Sequence, residues 1–313
     1  MPLDRRAQRL LSMLAASQGG DTAAETLAAR RESLNALARM VDNHAEPPCD
    51  VEDRVMPGAA GPIALRLYSP VGTTGPLPGL VFFHGGGWVA GGFDTHGGLC
   101  RRLATLAGCR VVAVDYRLAP EHPFPAAIDD SMAATSWISE HAADLGIDPA
   151  RLAVGGDSAG GGLAAAVSQL AAQAGGPAIA AQLLVCPILD VGRETPSRHE
   201  FADGYFISRA ALARDIDDYC GPGADRADPR LSPLRAEGLG GQPSAVIHTA
   251  EYDPFRDEGE AFVRRLAEEG VTVRHTRHEG MIHYFYAMPG AIPHAMPAAE
   301  AMAADLRAVL GLA

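Results

Sequence analysis

The chain has 313 residues, with 26 basic side chains against 38 acidic ones, and every basic one is Arg. Without lysine there is no ε-amine for a Schiff base and no phosphate-reaching Lys. This excludes pyridoxal-phosphate and lysine-aldolase chemistry, P-loop enzymes, protein kinases and Ser-x-x-Lys acyl-enzymes. A net charge of −12 argues against nucleic acid or an anionic membrane surface as partner.

Residues 1–45 read as one or two helices, with Ala, Leu and Arg at helical spacing. The apolar run through Leu10, Leu11, Met13 and Leu14 is too short for a signal peptide, and Asp4 opposes a basic leader, so an amphipathic helix is expected. Pro47 and Pro48 end the helical signal. Val51–Val55 and Ile63–Ser69 alternate about a Pro/Gly turn and predict an antiparallel strand pair.

From Leu80 the pattern changes to short apolar runs: Leu80–Phe83, Val111–Asp115, Leu152–Gly155, Gln182–Cys186, Ala245–Thr249 and Val271–His275. Helical stretches lie between most of them, at Gly97–Ala107, Ala126–Leu145, Ala159–Ala174 and Asp257–Glu269, and a last one follows at Ala298–Leu310. Strand alternating with helix predicts an α/β fold, a mostly parallel sheet flanked by helices. One interval, about 190–240, is far longer than a single crossover. It holds Tyr205, Phe206 and a predicted helix at Ser208–Tyr219, and it reads as an insertion that caps the sheet. The expected organisation is therefore N-terminal cap helices over 1–45 and a catalytic domain over 46–313.

Five cysteines, with no C-x-x-C and no metal-type spacing, fit reduced thiols in a cytoplasmic protein. No apolar run reaches a membrane-spanning length.

Three motifs carry chemistry. Gly156-Asp157-Ser158-Ala159-Gly160 fits G-x-S-x-G, a weak pattern alone in a glycine-rich chain. Its place between a strand and a helix gives it weight, because that sharp turn holds a serine hydroxyl clear of the sheet. A helix N-cap serine is the plain alternative. His84-Gly85-Gly86-Gly87-Trp88 also follows a strand, and its bare backbone offers converging N–H groups for an oxyanion, with the Ala159 N–H completing the set. His84 precedes the glycines and is expected to hydrogen-bond the loop backbone.

A base and an acid are expected after later strands, in that fold's order of nucleophile, acid, base. Asp253 is favoured as acid, with Glu251 and Asp257 open alternatives. His283 is favoured as base over His275, His278 and His294. A metal reading of His275, His278 and His283 lacks a carboxylate or thiol to complete it, so no metal or cofactor is expected.

Together these stretches resemble the bacterial hormone-sensitive-lipase family (family IV) of carboxylesterases, in its GDSAG subfamily. Asp253-Pro254-Phe255-Arg256-Asp257-Glu258-Gly259, Gly280-Met281-Ile282-His283 and Asp115–Ala127 carry the same likeness. The resemblance implies an α/β-hydrolase fold of about eight strands. It implies Ser158 as nucleophile, Asp253 as acid and His283 as base. Gly86, Gly87 and Ala159 become the oxyanion donors, with Gly85 next in line. It also implies a small-molecule ester substrate and a homodimer through the sheet edge or the last helix. Tyr284 stands where the family commonly has Gly, which bears on the pocket mouth. Trp88, Tyr205, Phe206, Met281 and Ile282 are the expected apolar walls, and an enclosed pocket favours short or medium acyl chains.

Overall fold

A computed structural model describes residues 1–17, 26–42, 44 and 46–312. Two helices come first, α1 (Arg5–Ser17) and α2 (Leu27–Val41). α1 buries Ala7 and Leu10 while Arg5, Arg6 and Arg9 face outward, as its spacing predicts. α2 starts from Thr26, whose hydroxyl accepts the Ala29 N–H at 3.2 Å.

β1 (Cys49–Gly58) and β2 (Gly61–Pro70) form the expected antiparallel pair. There follow β3 (Leu77–Phe83), α3 (Phe93–Ala107), β4 (Arg110–Asp115), α4 (Ala126–Glu140), β5 (Ile147–Asp157), α5 (Ala159–Ala174) and β6 (Ala181–Val185). The long interval then contributes α6 (Pro196–Glu200) and α7 (Arg209–Cys220). The chain finishes with β7 (Ser244–Tyr252), α8 (Arg256–Glu268), β8 (Val273–Ile282) and α9 (Ala295–Val309).

One eight-stranded sheet runs β1-β2-β4-β3-β5-β6-β7-β8. β2 lies antiparallel to β4, and every pair from β4 to β8 is parallel. Alternate residues of each strand enter opposite cores. Val81 and Phe83 of β3 pack with α4, α5 and α8, whereas Leu80 and Phe82 pack with α3 and α9. After β3 the chain steps to β4 on one side and then to β5 on the other. Such a reversal opens a crevice at the carboxyl ends of the strands. It also sets the ends of β3 and β5 side by side.

Several boundaries differ from expectation, and three have a visible cause. α3 begins at Phe93 because Thr95 folds back, its hydroxyl accepting the Gly92 N–H at 3.0 Å. α4 stops at Glu140, and the Gly146 backbone at φ +64° turns the chain into β5. β8 runs on to Ile282, pairing with β7 beyond the point where the other strands end. Its last pair, Tyr252 with Ile282, follows a register shift after Ala250. His283 therefore leaves directly from the strand.

The start of the long interval is anchored from below. Glu258 of α8 is fully buried and accepts the N–H groups of Leu189 (2.8 Å) and Asp190 (2.9 Å). Its other oxygen takes the Arg198 Nε–H at 2.6 Å, and Arg198 Nη2 donates to the Asp190 carbonyl at 2.6 Å. Among the described residues no helix is long and apolar enough to cross a membrane.

Candidate active site

Ser158 sits between β5 and α5 with φ +53° and ψ −120°, a strained conformation for a residue with a side chain. Its neighbours hold it there. The Ser158 N–H donates to the Val185 carbonyl at 2.8 Å, and its own carbonyl accepts from Ile188 at 3.0 Å and Gly162 at 3.1 Å. A Cβ on Gly156 or Gly160 would collide with the Phe83 carbonyl of the adjacent strand, so the turn closes only with glycine at both places.

His283, at the end of β8, points Nε2 at Ser158 Oγ, 3.0 Å away, and Nδ1 at Asp253 Oδ2, 2.7 Å away. Asp253 follows β7, and its Oδ1 accepts the Phe255 N–H at 2.8 Å. All three side chains are buried. A carboxylate can only accept, so Nδ1 carries the proton and Nε2 is left as acceptor for the serine hydroxyl.

The alternative residues are engaged elsewhere. Glu251 takes the Gly280 N–H and the Met1 amino group, both at 2.7 Å. Asp257 accepts the Ser197 N–H at 2.8 Å. His275 pairs with Thr249 Oγ1 at 3.0 Å, and His278 bridges His248 (2.9 Å) and His294 (3.1 Å).

Cys186, at the end of β6, escaped sequence reasoning. Its thiol reaches Asp253 as a donor, and burial, then the Asp253 charge, pushes it well above the ordinary thiol range. Ligand atoms of Cys186, Asp253 and His283 lie within 4.8 Å of one another, the one such group with metal-ligating side chains among the described residues. The thiol is held protonated and the other two are bonded to each other, so no donor set stands ready for a metal.

The glycine loop leaves β3 beside Ser158. Gly86 (φ +122°) and Gly87 (φ +64°) adopt conformations that favour glycine, and a Cβ on Gly86 would strike the Ala90 carbonyl. Gly85 is a correction. Its N–H donates to Asp157 Oδ1 at 2.9 Å, so it faces down into the fold and is no oxyanion donor. Asp157 is fully buried beneath the loop. Burial raises its carboxyl, but His96 at 3.2 Å, the Tyr286 hydroxyl at 2.9 Å and the Gly85 N–H outweigh that and hold it below the usual range. His84 donates from Nδ1 to the Gly85 carbonyl at 2.8 Å and stacks on Tyr116. Burial pushes its imidazole down to about 4, so it stays neutral.

Ser158, His283, Gly86 and Gly87 open on a cavity of about 680 Å³. Of the expected walls, Phe206 lines it, stacked on Tyr284 at 5.7 Å between ring centres. The other four do not. Trp88 is buried behind the loop, stacked on Tyr219 at 4.3 Å. Tyr205 stacks on Tyr252, and Met281 and Ile282 belong to the core beneath. Their places are taken by Leu11 and Leu14 of α1, Leu34, Leu37 and Met40 of α2, and Ile207 and Leu212 around α7. Tyr284 forms part of the wall, its hydroxyl donating to the Thr95 carbonyl at 3.1 Å.

A charged pair spans this cavity. Arg30 of α2 bonds Asp215 Oδ1 of α7, and its other nitrogen donates to Asp218 at 2.8 Å. Arg31 next to it ties α2 to the loop below, donating to the Val89 carbonyl at 2.8 Å.

Comparison with known proteins finds relatives in sequence and in fold. Residues 80–287 match the model of a family described as having the α/β-hydrolase fold. Esterase LipI of Mycobacterium tuberculosis is 42% identical over 286 residues, covering 90% of this chain and 88% of its own. Carboxylic ester hydrolase LipN of the same organism is 47% identical over 234 residues, 72% of this chain and 61% of LipN's length. Among solved structures, ester-hydrolase EH1AB1 from the metagenome of Lake Arreo, complexed with a bipyridine phosphonate derivative, superposes with a TM-score of 0.94. It is 41% identical and covers 99% of both chains. A hyperthermophilic esterase from Pyrobaculum calidifontis gives 0.93 at 37% identity, covering 98% of this chain and 99% of its own.

Proposed function

This chain belongs to the α/β-hydrolase fold family, in its hormone-sensitive-lipase branch, and is a carboxylic ester hydrolase; from that premise we propose how it works. Ser158 is the nucleophile, His283 the base and Asp253 the group that orients it. The observation that carries this reading is the unbroken chain from Ser158 Oγ through His283 to Asp253, at 3.0 and 2.7 Å.

His283 Nε2 takes the hydroxyl proton as Oγ attacks the ester carbonyl. The oxyanion is received by the N–H groups of Gly86, Gly87 and Ala159. Ala159 opens α5, so its N–H has no partner within the helix. Asp253 stabilises the imidazolium, which then gives its proton to the departing alcohol. Water repeats the sequence on the acyl-enzyme and releases the acid.

α1, α2 and the segment 190–240 act as the cap, and the walled cavity supports short- and medium-chain esters as substrates. The free thiols of Cys49, Cys100, Cys109, Cys186 and Cys220 support a cytoplasmic setting. The open edge of β8, together with α9, is the surface we assign to a homodimer.

The test is hydrolysis of p-nitrophenyl esters from acetate to decanoate by the protein and by Ser158→Ala. Turnover that peaks at short or medium chains and falls about 10⁴-fold or more in the variant is expected. An active variant overturns the nucleophile, and a peak at the longest chains overturns the substrate range.

A further inference from the structure

The Arg30–Asp215 pair is not used by the mechanism, yet it lies in the wall of the catalytic cavity among Leu34, Leu37 and Leu212. The Asp215 side chain is 27% exposed, so its carboxylate keeps access to the cavity. Its two oxygens differ. Oδ1 takes the Arg30 bond that ties α2 to α7. Oδ2 faces Gly87, so that a Cβ added to that glycine would stand 2.6 Å from it. Among the described residues none donates a hydrogen bond to Oδ2. A latch between the two helices needs only Oδ1, and Arg30 already has a second hold on α7 through Asp218. The inward oxygen is left facing the cavity.

We propose that Asp215 Oδ2 is a specificity subsite that accepts a hydrogen bond from a hydroxyl group on the substrate, close to the scissile carbonyl. The proposal rests on the serine-esterase reading given above. Position sets the distance. Gly87 bears one of the oxyanion N–H groups, and Oδ2 packs against that same residue. A donor that reaches it sits only a few bonds from the ester carbon. Charge sets the chemistry. Arg30 already pairs with both Asp215 and Asp218, and the Arg214 charge also acts on Asp215, so the carboxylate is met by cations and calls for a neutral donor rather than an ammonium group. Burial, opposed by Arg30, raises the Asp215 carboxyl to about 6, in keeping with a partly buried acceptor. The hydroxyl belongs either to the acyl part or to the alcohol part of the ester.

The experiment compares matched pairs on the full chain: p-nitrophenyl 3-hydroxybutyrate against p-nitrophenyl butyrate, and 2-hydroxyethyl butyrate against propyl butyrate. Each kcat/KM ratio is divided by the ratio for alkaline hydrolysis, which removes intrinsic reactivity. The expected result is a preference of about tenfold or more for the hydroxylated member of one pair, as for a hydrogen bond to a charged group. The pair that shows it tells which side of the ester Asp215 reads. In Arg30→Leu/Asp215→Leu, which removes both charges of that pair and leaves the part-exposed Asp218 to water, that ratio should fall to about one. A purely structural role would slow both members alike and leave the ratio unmoved. Wild-type ratios near one for both pairs, or a ratio unchanged in the double variant, overturn the subsite. Failure of the wild type on plain butyrate esters overturns instead the hydrolase reading beneath it.

Discussion

The Gly85 N–H and the Asp157 carboxylate are joined at 2.9 Å, so the residue before the nucleophile holds the first glycine of the loop that faces it. Asp157 is thus a brace between two strand ends, β5 and β3. Asp157→Asn keeps the size but loses the charge that gathers Gly85, His96 and Tyr286. We expect kcat to fall about 10- to 100-fold with KM little changed, because loop geometry matters most in the transition state. Steady-state kinetics check this, and an unaltered kcat removes the brace from the mechanism.

Acid stability should follow the buried histidines. Burial holds His84 near 4 and, with His248 beside it, His278 near 3, against an ordinary value of 6.5. The folded state therefore binds fewer protons than the unfolded chain below that value. The contribution of these rings to stability is complete above about pH 6.5 and declines as pH falls toward the folded values. Urea midpoints measured between pH 7 and 4.5 should fall less steeply in His278→Gln than in the wild type. Carboxyls that burial raises to about 6 (Asp215) and about 7 (Glu258) act in the opposite sense, so a slope unchanged in His278→Gln is what contradicts the neutral ring.

Glu258 and Arg198 should behave as a buried pair whose halves depend on each other. Glu258→Ala leaves the Arg198 guanidinium buried and frees two backbone N–H groups. A loss of about 3–5 kcal/mol is expected by denaturant unfolding. A loss under about 1 kcal/mol, the range of surface pairs, means that the interval's anchor lies elsewhere.

The aromatic pair Tyr205 and Phe206 should separate cleanly despite adjacency. Phe206→Ala enlarges the cavity and should shift the preferred acyl chain to longer homologues. Tyr205→Ala removes a ring packed on Tyr252 and should lower stability without moving that preference. Identical chain-length profiles in the two variants contradict the assigned walls.

The sheet and its crossings were readable because buried parallel strands leave short apolar runs between helices. Ser158, Asp253 and His283 were readable because each follows such a run. The strand ends were less so. β8 continues through the polar stretch His275–Glu279, since edge pairing with β7 holds it where hydrophobicity does not. The cavity walls were hardest. Leu11, Leu34 and Leu37 carry the same amphipathic pattern that a core-facing helix carries, and periodicity cannot tell a core from a void. Met281 and Ile282 border the base in sequence, yet both pack into the core with α3 and α9. Gly85 shares its motif with Gly86, and only the Asp157 contact distinguishes the direction of its N–H.

The pairing of Tyr252 with Ile282 puts Asp253 and His283 at neighbouring ends of adjacent strands. Ser158 belongs to β5, separated from β7 by the whole of β6. One link of the relay is therefore a local feature of a strand pair, while the other spans the sheet and depends on every layer between. On warming, the spanning link should lengthen before the local one. Inactivation should begin while the histidine still holds its carboxylate and the fold still melts as one.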